Sequence, residues 1–105
     1  MPAPYRPQDE SDGQSLVKER VREPQRFVVL LHNDDYTRMD FVVDVLQGIF
    51  NKNKEEATRI MLSVHEKGVG RCGVYTAEIA EAKVRRVTQK ARAAGFPLRC
   101  TMEPE

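Results

Sequence analysis

The segment His32-Asn33-Asp34-Asp35 sets an imidazole, an amide and two carboxylates side by side, directly after the apolar run Phe27-Val28-Val29-Leu30-Leu31. Ionised carboxylates only accept hydrogen bonds, the amide both accepts and donates, and a neutral imidazole does one at each nitrogen. Such a set suits a metal cation or acid–base work. A second histidine, His65, follows Met61 by four residues and Val64 by one, so on a helix all three share a face. Taken by spacing alone, the first group is an Asx-rich turn and His65 is a histidine packed on an apolar face. The third concentration is Glu78, Glu81, Lys83, Arg85, Arg86, Lys90 and Arg92. It reads either as a solvated helix face with its basic residues towards the C-terminus, or as a docking surface for a charged partner.

Signals for catalysis are thin. Gly68-Val69-Gly70-Arg71-Cys72-Gly73 leads into a strand, so it lacks the helix that a dinucleotide-binding glycine loop requires. Zinc ligands drawn from His32, His65, Cys72 and Cys100 have no CxxC or HxxxH spacing. A calcium loop starting at Asp34 would need glycine where Met39 stands. Cys72 with His65 as a nucleophile pair is undercut by a strand position that faces a core. The alternative chemistry is a small metal-dependent or Asp/His hydrolase built on His32, Asp34, Asp35 and His65.

These side chains need elements to hold them. The Phe27–Leu31 run is rich in β-formers and suits a central strand, ending in the polar loop 32–37. Thr37 is placed to cap a first helix, with Asp40 in its first turn, and Met39, Val42, Leu46, Ile49 and Phe50 recur at helical spacing to about Asn51. Gly48 weakens that helix. A second helix starts at Lys54 or Glu55, turns Ala57, Ile60, Met61 and Val64 inward, and stops at Gly68. Arg71–Tyr75 predicts a strand and Thr76 a second cap. A third helix then turns Ile79, Ala80, Val84, Val87 and Ala91 inward and ends at Gly95 before Pro97. Leu98, Cys100 and Met102 alternate with Arg99, Thr101 and Glu103, which predicts a strand buried on one side. The order β-α-α-β-α-β implies an α+β fold, a two-layer sandwich with a mostly antiparallel three-stranded sheet against three helices.

The first 25 residues contrast with this. They carry four of the six prolines, a mixture of charges and few aliphatics, too little apolar surface to offset the entropy of ordering a chain. They are expected to form a disordered N-terminal extension, leaving 26–105 as a single core domain. Lysine plus arginine number 17 and aspartate plus glutamate 16 in 105 residues, a balance that argues against sequence-blind binding of nucleic acid. No apolar run is long enough for a membrane span, and the N-terminus lacks the charged and apolar regions of a secretory signal. A soluble cytoplasmic monomer with reduced cysteines is expected.

The segments His32-Asn33-Asp34-Asp35-Tyr36-Thr37, Ile60-Met61-Leu62-Ser63-Val64-His65 and Cys72-Gly73-Val74-Tyr75-Thr76, with Met39, Val42 and Leu98 around them, together resemble the bacterial ClpS adaptor family. The similarity runs in order over residues 26–103. It implies a non-catalytic N-recognin of the N-end rule pathway, without a cofactor, that hands proteins to the ClpA unfoldase of the ClpAP protease. Carried onto this sequence, Asn33, His65 and Asp34 or Asp35 would bind a free α-amino group. That group is mostly an ammonium at neutral pH and offers three donors. Thr37, Met39, Val42, Met61, Val64 and Leu98 would wall a pocket for an N-terminal Leu, Phe, Tyr or Trp. Met39 at its mouth would collide with branching at Cβ and so reject Ile and Val. Glu78 and Lys83 would dock the unfoldase, and the N-terminal extension would be engaged by it. Two residues depart from the family pattern: Arg38, where proline is common, and Gly48.

Overall fold

The computed structural model describes residues 23–105, so the expectation of a disordered extension lies almost wholly outside the described residues. The elements are β1 (Arg26–His32), α1 (Met39–Gly48), α2 (Lys54–Lys67), β2 (Val69–Thr76), α3 (Ala77–Ala94) and β3 (Arg99–Pro104). This is the expected β-α-α-β-α-β order. The most apolar strand is the central one. β1 pairs antiparallel with β2 on one side and with β3 on the other, giving the order β2-β1-β3. A bulge between Val29 and Leu30 shifts the β1–β2 register, and Leu31 lies between Gly70 on β2 and Cys100 on β3.

One face of the sheet carries the core. Val29, Leu31, Cys72 and Cys100 meet Val42, Val45 and Leu46 of α1, Ala57 and Val64 of α2, and Ala80, Val87 and Ala91 of α3 in a single cluster. Each helix turns the greater part of its apolar stripe towards the sheet. Gly70 lets α2 lie close to β2: a Cβ there would stand 2.6 Å from Val64 Cγ2 and 3.0 Å from the Ile60 carbonyl oxygen. Among the described residues no helix is long and apolar enough to cross a membrane.

The helix ends show where local signals succeed and fail. Gly68 (φ 88°) and Gly95 (φ 80°) stop α2 and α3 in the left-handed conformation, where glycine carries no Cβ penalty. Asn53, which was not anticipated, caps α2 by accepting from the Glu56 N–H at 2.8 Å. Thr37 does not cap α1. Arg38 occupies that position, and its guanidinium has no acceptor to offer the first N–H groups, while the Thr37 hydroxyl donates back into the loop to Asp34. α1 also stops at Gly48, short of Asn51, and Asn51 takes a positive φ of 57° in the connection to α2. β2 starts at Val69, two residues earlier than expected. Thr76 stands at the start of α3 but makes no side-chain cap bond. Met39 and Ile79, expected on buried stripes, are 46% and 49% exposed, because each lies in the first turn of its helix, beyond the reach of the core.

Candidate functional site

Beyond β1 the chain enters the loop that carries Asn33, Asp34 and Asp35. The Asn33 N–H donates to the Gly68 carbonyl oxygen at 3.0 Å, and the Gly68 N–H donates to the Val64 carbonyl oxygen at 3.0 Å. One glycine therefore joins the start of the loop to the C-terminal turn of α2, which bears Val64 and His65. The far end of the loop is held by Asp34. Its Oδ1 accepts from the N–H groups of Tyr36 (2.8 Å) and Thr37 (2.7 Å), and its Oδ2 accepts from the Thr37 hydroxyl (2.8 Å). Burial pushes the Asp34 carboxyl up, but the bonds from Thr37 and Tyr36 outweigh it and hold the group below the usual carboxylate range. Asp34 is a structural anion, whereas the neighbouring Asp35 is exposed.

A cleft of about 390 Å³ opens between this loop, the N-terminal turn of α1, the C-terminal half of α2 and the residue before β3. Asn33, Asp34, Asp35 and His65 line one part of it. Thr37, Met39, Val42, Met61, Val64 and Leu98 line the rest, so all ten side chains singled out for this region meet in one concavity. Val42, Val64 and Leu98 are buried and form its base. Phe41 and Phe96, with ring centroids 4.9 Å apart, fix α1 against the segment that leads into Leu98. The arrangement offers hydrogen-bond acceptors beside an apolar recess.

His32 also borders the cleft, but its Nε2 lies 2.7 Å from the Thr101 hydroxyl oxygen across β3. Burial, followed by the charge of Arg99, lowers its pKa, with Glu103 opposing. Two of the four groups a hydrolase would need, His32 and Asp34, are thus bound to structural partners. Cys72 and Cys100 are buried; burial pushes the Cys72 thiol far up and the Cys100 thiol up to about 12, so neither is a ready nucleophile. Among the described residues no three His, Cys, Asp or Glu side chains are gathered so as to hold a metal ion.

On α3, far along the chain from the loop, Glu78 is exposed and Lys83 is half-buried. Lys83 Nζ donates to the Ile49 carbonyl oxygen at 2.6 Å, satisfying a group left open at the end of α1, and stands 5.8 Å and 5.5 Å from the ring centroids of Phe50 and Tyr75.

Comparison with known proteins then gives the fold a family. The family model described as ATP-dependent Clp protease adaptor protein ClpS matches residues 22–101. The chain belongs to the ClpS family. It is 66% identical over 92 residues to the ATP-dependent Clp protease adapter protein ClpS of Oleidesulfovibrio alaskensis, covering 88% of each chain. The ClpS of Caulobacter vibrioides strain NA1000 is 56% identical over 89 residues, covering 85% of this chain and 82% of that one. Among solved structures, Agrobacterium tumefaciens ClpS2 bound to L-phenylalaninamide superposes with a TM-score of 0.77 at 38% identity. The match covers 79% of this chain and all of that one. The chain is therefore an adaptor of the Clp protease by family.

Besides His32, two cleft residues fall outside the amine site and the pocket as read from the sequence. Tyr36 and Arg38 line the cleft and remain well exposed. The signal for both was their place within the loop itself, between Asp35 and Met39.

Proposed function

We propose that the cleft is a receptor for the free N-terminal end of a protein whose first residue is Leu, Phe, Tyr or Trp. Asn33 offers its amide oxygen, Asp35 its carboxylate and His65 an unprotonated ring nitrogen to the α-ammonium group. Asp35 carries the charge because the Asp34 carboxylate is engaged by Thr37 and Tyr36. Charge-assisted bonds of this kind contribute about 1.5–3 kcal/mol each when well formed. An acetylated or internal residue leaves these groups unpaired, and that loss separates a chain end from a chain middle.

The first side chain enters the recess formed by Val42, Met61, Val64 and Leu98, where burial is worth roughly 1.5–3 kcal/mol. Thr37 has its hydroxyl proton committed to Asp34, so it adds no competing donor to the wall. Met39, half-exposed at the opening, stands where a branch at Cβ would strike it, so Val and Ile bind poorly. The observation that carries this reading is the meeting of acceptors and apolar recess in one cleft. It is supported by a 38% identical relative bound to a phenylalanine derivative with a free α-amine.

The captured protein then passes to a ClpA-type unfoldase and on to degradation by ClpAP. Glu78 and Lys83, with the surrounding surface of α3, dock the unfoldase, and the extension 1–25 is the segment the unfoldase engages. The adaptor acts as a monomer in the cytoplasm, performs no chemistry itself and needs no cofactor. Fluorescence anisotropy with four labelled peptides, identical after position one, tests the receptor. Leu and Phe bind, while Val and N-acetyl-Leu do not. Equal binding of all four, or of none, refutes it.

A further inference from the structure

We propose that Arg38 makes the cleft favour substrates whose second residue is acidic; this rests on the receptor reading above. Tyr36 (76%), Arg38 (side chain 70%) and Met39 (46%) line the cleft at the entrance to α1 and are exposed, as Asn33, Asp35 and His65 are on the amine side, so Tyr36, Arg38 and Met39 form the α1 side of its rim. With the ammonium and the first side chain directed inward, the substrate backbone leaves over this rim and its second side chain meets it. Of the described residues lining the cleft, Arg38 alone is a lysine or arginine.

Arg38 holds Asp40 in a two-point contact, Nε to Oδ1 at 3.2 Å and Nη2 to Oδ2 at 2.7 Å, with both side chains in solvent. A guanidinium has five donors, so it can accept a second carboxylate beside Asp40 or exchange one for the other. The exchange is asymmetric. Asp40 lies in the first turn of α1, where free N–H groups and the helix dipole favour an anion without Arg38. If a basic second residue captured Asp40 instead, Arg38 would be left unpaired at the same positive helix end, which disfavours a cation. Of the two loop carboxylates that face the same cleft, Asp35 is offset by the substrate ammonium and Asp34 is turned onto the donors of Tyr36 and Thr37, so Arg38 is the charged group nearest solvent for an acidic second residue.

The test is anisotropy with labelled peptides beginning Leu-Asp, Leu-Ala and Leu-Lys, on the wild type, Arg38→Ala and Asp40→Asn. The wild type binds Leu-Asp about two- to fivefold more tightly than Leu-Ala, the range of an exposed ion pair, and added salt erodes the difference. Arg38→Ala removes the preference while keeping Leu-Ala binding, and Asp40→Asn, which frees the guanidinium, enlarges it. Strong Leu-Ala binding with no preference for Leu-Asp overturns this inference alone, as does a preference that survives Arg38→Ala. Failure of every Leu peptide to bind the wild type overturns the receptor reading itself.

Discussion

Thr37 grips the carboxylate of Asp34 twice, with its backbone N–H on Oδ1 at 2.7 Å and its hydroxyl on Oδ2 at 2.8 Å. This one contact divides the work of two adjacent acids that look equivalent in the sequence. α1 begins two residues beyond Thr37, at Met39, which stands over the cleft.

The two acids therefore fail differently when neutralised. Asp35→Asn leaves the melting temperature unchanged and lowers affinity for a Leu-initiated peptide about tenfold or more, the loss of one charge-assisted bond. Asp34→Asn weakens the loop, costing roughly 1–2 kcal/mol of stability, because an amide replaces a charged acceptor of three bonds. Thermal melts paired with peptide titrations check both. Two variants with the same profile would contradict the division.

Acid titration follows from the Asp34 pKa, which lies below its ordinary value of 3.8 in the folded protein. The unfolded chain then takes up the proton first as pH falls. The stabilisation from ionised Asp34 is complete above the ordinary value and is lost as pH drops through the lower folded value. The stability gap between wild type and Asp34→Asn should accordingly be full at pH 6 and close progressively below about pH 4. Chemical denaturation across that range measures it; a gap independent of pH would remove the carboxylate from the account.

Much of this architecture is legible in the chain, and its failures have particular causes. Gly68 and Gly95 mark helix ends because nothing but backbone conformation decides them, and the Phe27–Leu31 run declares a central strand by its composition. Thr37 misleads because a threonine before an apolar stripe has the pattern of a cap, while the competitor for its hydroxyl lies three residues upstream. Met39 and Ile79 mislead because periodicity identifies a face of a helix and not how far the opposing surface extends. The contact of Lys83 with Ile49 spans 34 positions, and no local pattern encodes it. The cleft is the clearest case. Spacing alone makes His65 a packed histidine and Asn33–Asp35 a turn; only the resemblance of the whole motif set joined them.

Gly70 should tolerate no side chain. Gly70→Ala would drive a Cβ to within 2.6 Å of Val64 and 3.0 Å of the Ile60 carbonyl oxygen, so α2 must move off β2. We expect a loss of about 1–3 kcal/mol in stability together with weaker peptide binding, since Val64 and His65 ride on that helix. Denaturant melts and titrations report the two effects; an unchanged variant would mean the helix sits farther out than described.

Lys83 should prove a clamp within the fold whatever else it touches. Lys83→Met keeps the aliphatic stem but loses the bond to the Ile49 carbonyl oxygen and the contacts over Phe50 and Tyr75. A cost of about 1–3 kcal/mol is expected, visible in a thermal melt without any partner present. A residue serving only a partner would leave that melt unmoved.

The receptor claim is tested most directly by an NMR titration of the isotopically labelled protein with L-phenylalaninamide and, in parallel, its N-acetyl derivative. The account predicts that the free amine shifts the resonances of Asn33, Asp35, Val64, His65 and Leu98, while the acetylated compound leaves them in place. Equal shifts from both compounds, or shifts confined to α3 and β3 away from the cleft, would contradict it.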